Sequence, residues 1–245
     1  MPDAAITDAA ILVADHAANY VEDRPDGGSR TVIIPHHYSL DGARWAEVAD
    51  AAGMRFVSPR STVTEIVSQI SNADLVITEA MHGAILADTL RVPWIPVQCS
   101  PDFDSFKWRD WAMSMDLTFS PIKVAPTSAQ KALSYWRKSK AAHHYVPFPD
   151  SLDVSAPGMR DLLTDHLQSR YRSWGGSSGQ AGDRARLKEA LALFDGFFVS
   201  RVSRTLKDIA RTPPFLSTDA MFKTRLHQMR GAVDRFVEDA ISRQI

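Results

Sequence analysis

The stretch Ile77-Thr78-Glu79-Ala80-Met81-His82-Gly83-Ala84-Ile85-Leu86-Ala87 holds the residues of this chain best suited to chemistry. A β-branched run ends at Thr78, and a helical pattern begins within a few residues. The first backbone N–H groups of a helix lack internal acceptors and sit at the positive end of its dipole, so they suit a phosphate or a carboxylate. Gly83 permits close approach of backbone to ligand, and Met81 and Gly83 place their amides on either side of His82. The imidazole of His82 supplies an acid or base that works near neutral pH. Glu79 either complements the helix dipole or orients and binds a substrate. His36 and His37 follow another apolar run; they are either ligand donors or a strand-end pair bonded to backbone. Lys107 is either a cation for an anionic substrate or a snorkelling surface lysine.

Other reactive residue types carry less. Cys99 reads as packed rather than reactive. His143-His144 sit in a polar stretch before Pro147 and Pro149 and make a poor metal pair. Ser39 and Ser58 lack the strand–turn–helix context of a nucleophilic serine. No cluster with metal-ligand spacing is present, so no metal and no cofactor is expected.

The elements that must position these residues alternate. Thr31-Val32-Ile33-Ile34-Pro35 reads as a buried strand, residues 40–52 as a helix ended by Gly53, and Arg55-Phe56-Val57 as a second strand. Thr62 and Glu65 form a capping box for a helix through Ile66, Val67 and Ile70. Residues 74–78 form a third strand, residues 79–91 a helix, and residues 94–97 a fourth strand. Pro96 argues for an edge or strand-end place for that fourth strand. A helix over residues 106–115 and an apolar run near Leu117 and Phe119 complete the series. Such alternation predicts an α/β, Rossmann-like parallel sheet with helices on both faces, and ligands beyond the carboxyl ends of its strands. Residues 161–172, 183–210 and 218–243 carry helical spacing, with a Gly/Ser-rich connector over 174–182. The expected organisation is a connector or remnant over 1–25, a Rossmann-like domain over 26–145 and a mainly helical extension over 146–245.

Composition narrows the class. The formal charge of −1 disfavours a nucleic-acid binder, and a single cysteine excludes an internal disulfide. Acids stand at the N-terminus where a signal peptide needs bases, and no apolar run is long enough to span a bilayer. A cytoplasmic protein is expected. Basic residues on the last two helical patterns leave open contact with the inner face of the membrane.

Residues 73–87, followed by Val92-Pro93-Trp94-Ile95-Pro96-Val97, resemble the signature of the polysaccharide pyruvyltransferase family, in its branch that builds pyruvate ketals on exopolysaccharides such as succinoglycan. Phe106-Lys107-Trp108-Arg109-Asp110-Trp111 resembles an aromatic–lysine element of that branch. Ala5-Ile6-Thr7-Asp8-Ala9-Ala10-Ile11-Leu12 resembles the segment joining the family's two domains. The resemblance implies half of a glycosyltransferase-B type fold, with phosphoenolpyruvate as donor and a saccharide acceptor, lipid-linked in one version of the reading. It carries the family's catalytic histidine onto His82. The arginine and leucine that usually precede that histidine are here Ala80 and Met81, and His36 and His37 are the expected compensating donors. The donor anion is then expected between Met81-His82-Gly83 and His36-His37, which requires adjacent strand ends.

Two rival readings remain at this level: a sugar-nucleotide glycosyltransferase, and a non-catalytic half-fold that binds a glycan or a partner. Only one strand–helix series is legible, so an upstream domain is expected to be missing. The chain alone is then expected to be weakly active, with Trp45 or Trp108 exposed if either faces the cleft.

Overall fold

A computed structural model describes residues 6–20, 29–141 and 192–242. The helix expected over 161–172, the connector over 174–182 and His143-His144 lie outside the described residues. Strands β1 (Thr31–Ile34), β2 (Arg55–Phe56), β3 (Leu75–Thr78), β4 (Trp94–Gln98) and β5 (Ile122–Lys123) form one parallel sheet in the order β2-β1-β3-β4-β5. The helices are α1 (Trp45–Ala52), α2 (Val63–Ser71), α3 (Met81–Thr89), α4 (Ser105–Ser114), α5 (Ala129–Ala141), α6 (Asp195–Ile209) and α7 (Asp219–Ser242). A 3₁₀ segment, Ala9–Tyr20, precedes the sheet. The α/β expectation holds, and the helical C-terminal part follows it.

Alternation along each strand divides the core in two. Val32, Ile34, Val76 and Trp94 face one layer, packed by α2, α3, α4, Ile11 of the 3₁₀ segment and Leu226 of α7. Ile33, Ile77, Ile95 and Val97 face the other, packed by Trp45 and Val48 of α1 and by Val202, Leu206 and Ile209 of α6. Strands buried on both faces are what the continuous apolar runs require.

Several elements end where their chemistry dictates. Gly53 closes α1 at φ 69°, the left-handed geometry that glycine adopts most readily. Thr62 and Glu65 make both bonds of the expected capping box. The helix expected over 40–52 begins later, because residues 37–39 form a short 3₁₀ turn first. β4 lies between β3 and β5 rather than at an edge. Pro96 is tolerated there because β5 pairs only with Val97 and Gln98, so no ladder bond toward β5 is demanded of it. Helix α5 and strand β5 have no counterpart in the sequence reading.

Trp45 and Trp108 do not point to an exposed face: they are 4% and 2% exposed. The Trp45 indole donates to the Ser39 carbonyl at 3.1 Å. Trp108 sits in an aromatic cluster with Trp94, Trp111, Phe103 and Phe119.

Gly83 is required for packing. A Cβ there would stand 2.5 Å from Thr78 Oγ1. Gly83→Ala is therefore expected to lower stability by about 1–3 kcal/mol, the range for overpacking a core. Thermal denaturation measures it; an unchanged melting temperature would refute this account of the helix–strand contact.

Candidate functional site

The strand order puts a topological switch point between β1 and β3, where successive connections leave in opposite directions and ligands of open α/β sheets bind. Ile34 pairs with Thr78 there, so the chain after β1 and the chain into α3 leave adjacent strand ends. His36-His37 and Met81-His82-Gly83 are thus neighbours along one edge, as the donor-anion expectation demands.

Glu79 organises this edge. It is 2% exposed, and its two oxygens accept from the backbone N–H groups of His36 and Cys99, each at 3.0 Å. One carboxylate just past β3 thereby ties down the chain leaving β1 and β4. Burial pushes its pKa above the ordinary carboxylate range, against the opposing pull of Ser39 and of the amides of His36, Cys99 and Ser100. With both oxygens bonded to backbone amides, Glu79 holds the turns after β1 and β4 in place.

The turn after β1 is held at every residue. His36 N–H donates to Glu79. The His37 carbonyl accepts from Arg60 at 3.3 Å, the Tyr38 carbonyl from Lys131 Nζ at 2.9 Å, and the Ser39 carbonyl from Trp45. Lys131 and Tyr135 come from α5, where no periodic apolar pattern announced a helix; Ser128, whose hydroxyl accepts from Lys131 N–H, was the available signal. The buried Ser39 hydroxyl makes no hydrogen bond but lies within electrostatic reach of Glu79 and the Tyr135 phenol. Burial, with the charge of Glu79 in a lesser role, drives the Tyr135 phenol upward. Cys99 is buried and its thiol is likewise pushed well up, so it is inert packing as expected.

α3 presents its start to the same edge. Its N-cap, Ala80, has no side-chain bond to offer, in contrast to the capped helices α2 and α4. No side chain therefore caps its first turn. Met81's side chain packs partly against the core. His82 is exposed, with Nε2 3.7 Å from Asp8 Oδ2, a partner the sequence did not reveal. Gly83 is buried, and its close approach is to Thr78. Lys107 is exposed in the first turn of α4, its amide capped by Asp104.

A cleft of about 400 Å³ lies between Leu12, Val13 and Arg230, and one of about 220 Å³ beside Ser58, Ser61 and Gln69 at the end of β2. Among the described residues no three His, Cys, Asp or Glu side chains converge, and no metal centre is assigned. No described helix is long and apolar enough to cross a membrane.

Residues 2–101, which include the whole β1–α3 edge, match the family described as polysaccharide pyruvyl transferase. The succinoglycan biosynthesis protein ExoV of Rhizobium meliloti (strain 1021) is 29% identical over 248 residues, covering 97% of this chain and 70% of that protein. No solved structure matches. These likenesses support a transferase enzyme of polysaccharide pyruvylation.

Glu79→Gln tests the tie. An amide offers one acceptor and turns an N–H₂ toward a backbone N–H, so a loss of about 1–3 kcal/mol is expected. The pH dependence has a definite sign. A buried carboxyl with a raised pKa stabilises the fold fully below the ordinary value of about 4.3, and this contribution is lost as pH rises through the raised value. The stability difference between wild type and Glu79→Gln, from denaturant titrations at several pH values, is expected to shrink with rising pH across that window. A flat or growing difference would contradict the assignment.

Proposed function

We propose that this chain transfers the pyruvyl group of phosphoenolpyruvate to two hydroxyls of a saccharide, releasing inorganic phosphate and leaving a pyruvate ketal. The observation that carries the reading is His82 at the uncapped start of α3 on the β1/β3 edge, within the span that matches the polysaccharide pyruvyl transferase family. A proton goes to the methylene carbon of the enol, and electron deficiency develops at the carbon bearing phosphate. One sugar hydroxyl adds to that carbon and releases a proton. The second hydroxyl then displaces phosphate by C–O cleavage and releases its own. His82 is the group assigned to give and take these protons. The Met81 and His82 amides, the dipole of α3 and the His36-His37 pair are assigned to the donor's phosphate and carboxylate. Lys107, on the next helix of the same sheet, is assigned to the outer part of the substrate. The acceptor is proposed to be an exopolysaccharide repeat unit, carried on lipid at the cytoplasmic face of the membrane.

His82→Ala is expected to lower turnover about 10²–10⁴-fold, the range for a positioned acid or base. Its stability should hold, because the side chain is 69% exposed. The assay is phosphate release from phosphoenolpyruvate with a pyruvate-free oligosaccharide, run beside nucleotide release from sugar nucleotides. Full activity of His82→Ala, or nucleotide release in place of phosphate, defeats the proposal.

A further inference from the structure

The cleft at the end of β2 has no part in the steps described above, yet its lining has a definite chemistry. It lies between the edge strand β2 and helix α2, bounded by Phe56, Val57, Ser58, Ser61, Glu65 and Gln69. Its polar side chains are held from behind and keep further hydrogen-bonding capacity. Glu65 engages the Thr62 amide through Oε2 at 3.0 Å, which leaves Oε1 as an acceptor. Gln69 Oε1 accepts from Arg55 Nη1 at 2.9 Å, which fixes the amide and leaves its N–H₂ as a donor. Ser58 Oγ accepts from the Arg60 amide at 3.2 Å and keeps its own proton to give. The Ser61 hydroxyl can both give and take.

A ligand that matches this set must donate and accept at closely spaced positions while presenting apolar surface to Phe56 and Val57. Hydroxyl groups do both, and a sugar ring carries several of them beside its C–H groups. Size agrees. About 220 Å³ falls below the roughly 300–1,000 Å³ of sites for drug-sized ligands, so one sugar ring suits the cleft better than a nucleotide does. Charge agrees as well, because the lining residues include a carboxylate and no cation, which disfavours a phosphate. β2 stands two strands from β3, and strands are about 4.8 Å apart, so the cleft opens about 10 Å along the sheet from the strand that leads into α3. We infer that this cleft holds one sugar ring of the acceptor, separate from the ring that receives pyruvate at His82. The inference rests on the saccharide acceptor of the proposed reaction and is independent of which donor is used.

Saturation-transfer difference NMR on the full chain tests it, with methyl β-D-galactopyranoside, methyl β-D-glucopyranoside, methyl α-D-mannopyranoside and uridine monophosphate as probes. Two variants each reverse one polarity while keeping the bond behind it. Glu65→Gln retains an acceptor for the Thr62 amide, as a capping box allows, and replaces the remaining oxygen by N–H₂. Gln69→Glu retains an acceptor for Arg55 and replaces the N–H₂ by an oxygen. Wild type and His82→Ala are expected to transfer saturation to ring protons of at least one glycoside. Each polarity variant is expected to bind that glycoside about tenfold more weakly, the size of one hydrogen bond, while keeping a cooperative melting transition. In the transfer assay both variants should raise the KM for a pyruvate-free oligosaccharide and leave the KM for phosphoenolpyruvate unchanged. The inference is overturned if no glycoside contacts wild type, if either variant binds as wild type does, or if only uridine monophosphate binds and Glu65→Gln strengthens it. Glycoside contact in this cleft without phosphate release from phosphoenolpyruvate would instead overturn the donor reading and leave the sugar site standing.

Discussion

The inward-turned carboxylate of Glu79 is the interaction on which the ligand-facing edge depends. Past the last paired residue of a parallel strand the ladder stops, and the next amides need other acceptors. At β1 and β4 those amides belong to His36 and Cys99, and both are met by one side chain from the strand between them. Burying a carboxylate is costly, and backbone amides offset that cost without a buried cation of opposite sign. The arrangement fixes where the chain turns after β1, and hence where His36 and His37 stand.

The same device recurs at two further places where a distant segment is fastened. Asp88, near the end of α3 and 1% exposed, accepts from the Ser217 amide at 2.7 Å and from the Trp94 indole at 3.2 Å. Asp195, at the start of α6, accepts from the Ala129 amide at 2.9 Å and pairs with Arg44 at 2.9 Å. That second tie docks α5, which brings Lys131 over the turn. The site therefore draws on residues beyond the span matched to the family, although its histidines all lie within that span.

What was legible in the sequence follows local chemistry. The apolar runs of β1, β3 and β4, the Thr62–Glu65 box and the glycine stop of α1 are encoded within a few residues of where they act. The juxtaposition of His36-His37 with His82 was expected from the family resemblance; alternation of strand and helix does not fix strand order, and the pairing of β1 with β3 supplies it. What was not legible depends on separation. The partners of Glu79, the burial of Trp45 and Trp108, and the approach of Asp8 to His82 are long-range facts with no local periodicity. Helix α5 was missed because its inward face carries Lys131 and Tyr135 rather than an apolar stripe. Gly83 shows a subtler limit: close approach was anticipated at that glycine, and its neighbour is Thr78.

The cover of the sheet has a consequence for synthesis. Ile33, Ile77, Ile95 and Val97 can pair and pack with α1 as soon as β4 leaves the ribosome. Val202, Leu206 and Ile209, which complete that layer, are made about 100 residues later, a delay of roughly 5–20 s at ordinary elongation rates. During that interval one face of a strongly apolar parallel sheet is only half clothed, and unfinished faces of this kind are where nascent chains stick to one another. Slow decoding between β4 and α6 would lengthen the exposure, whereas chaperone binding to that face would protect it.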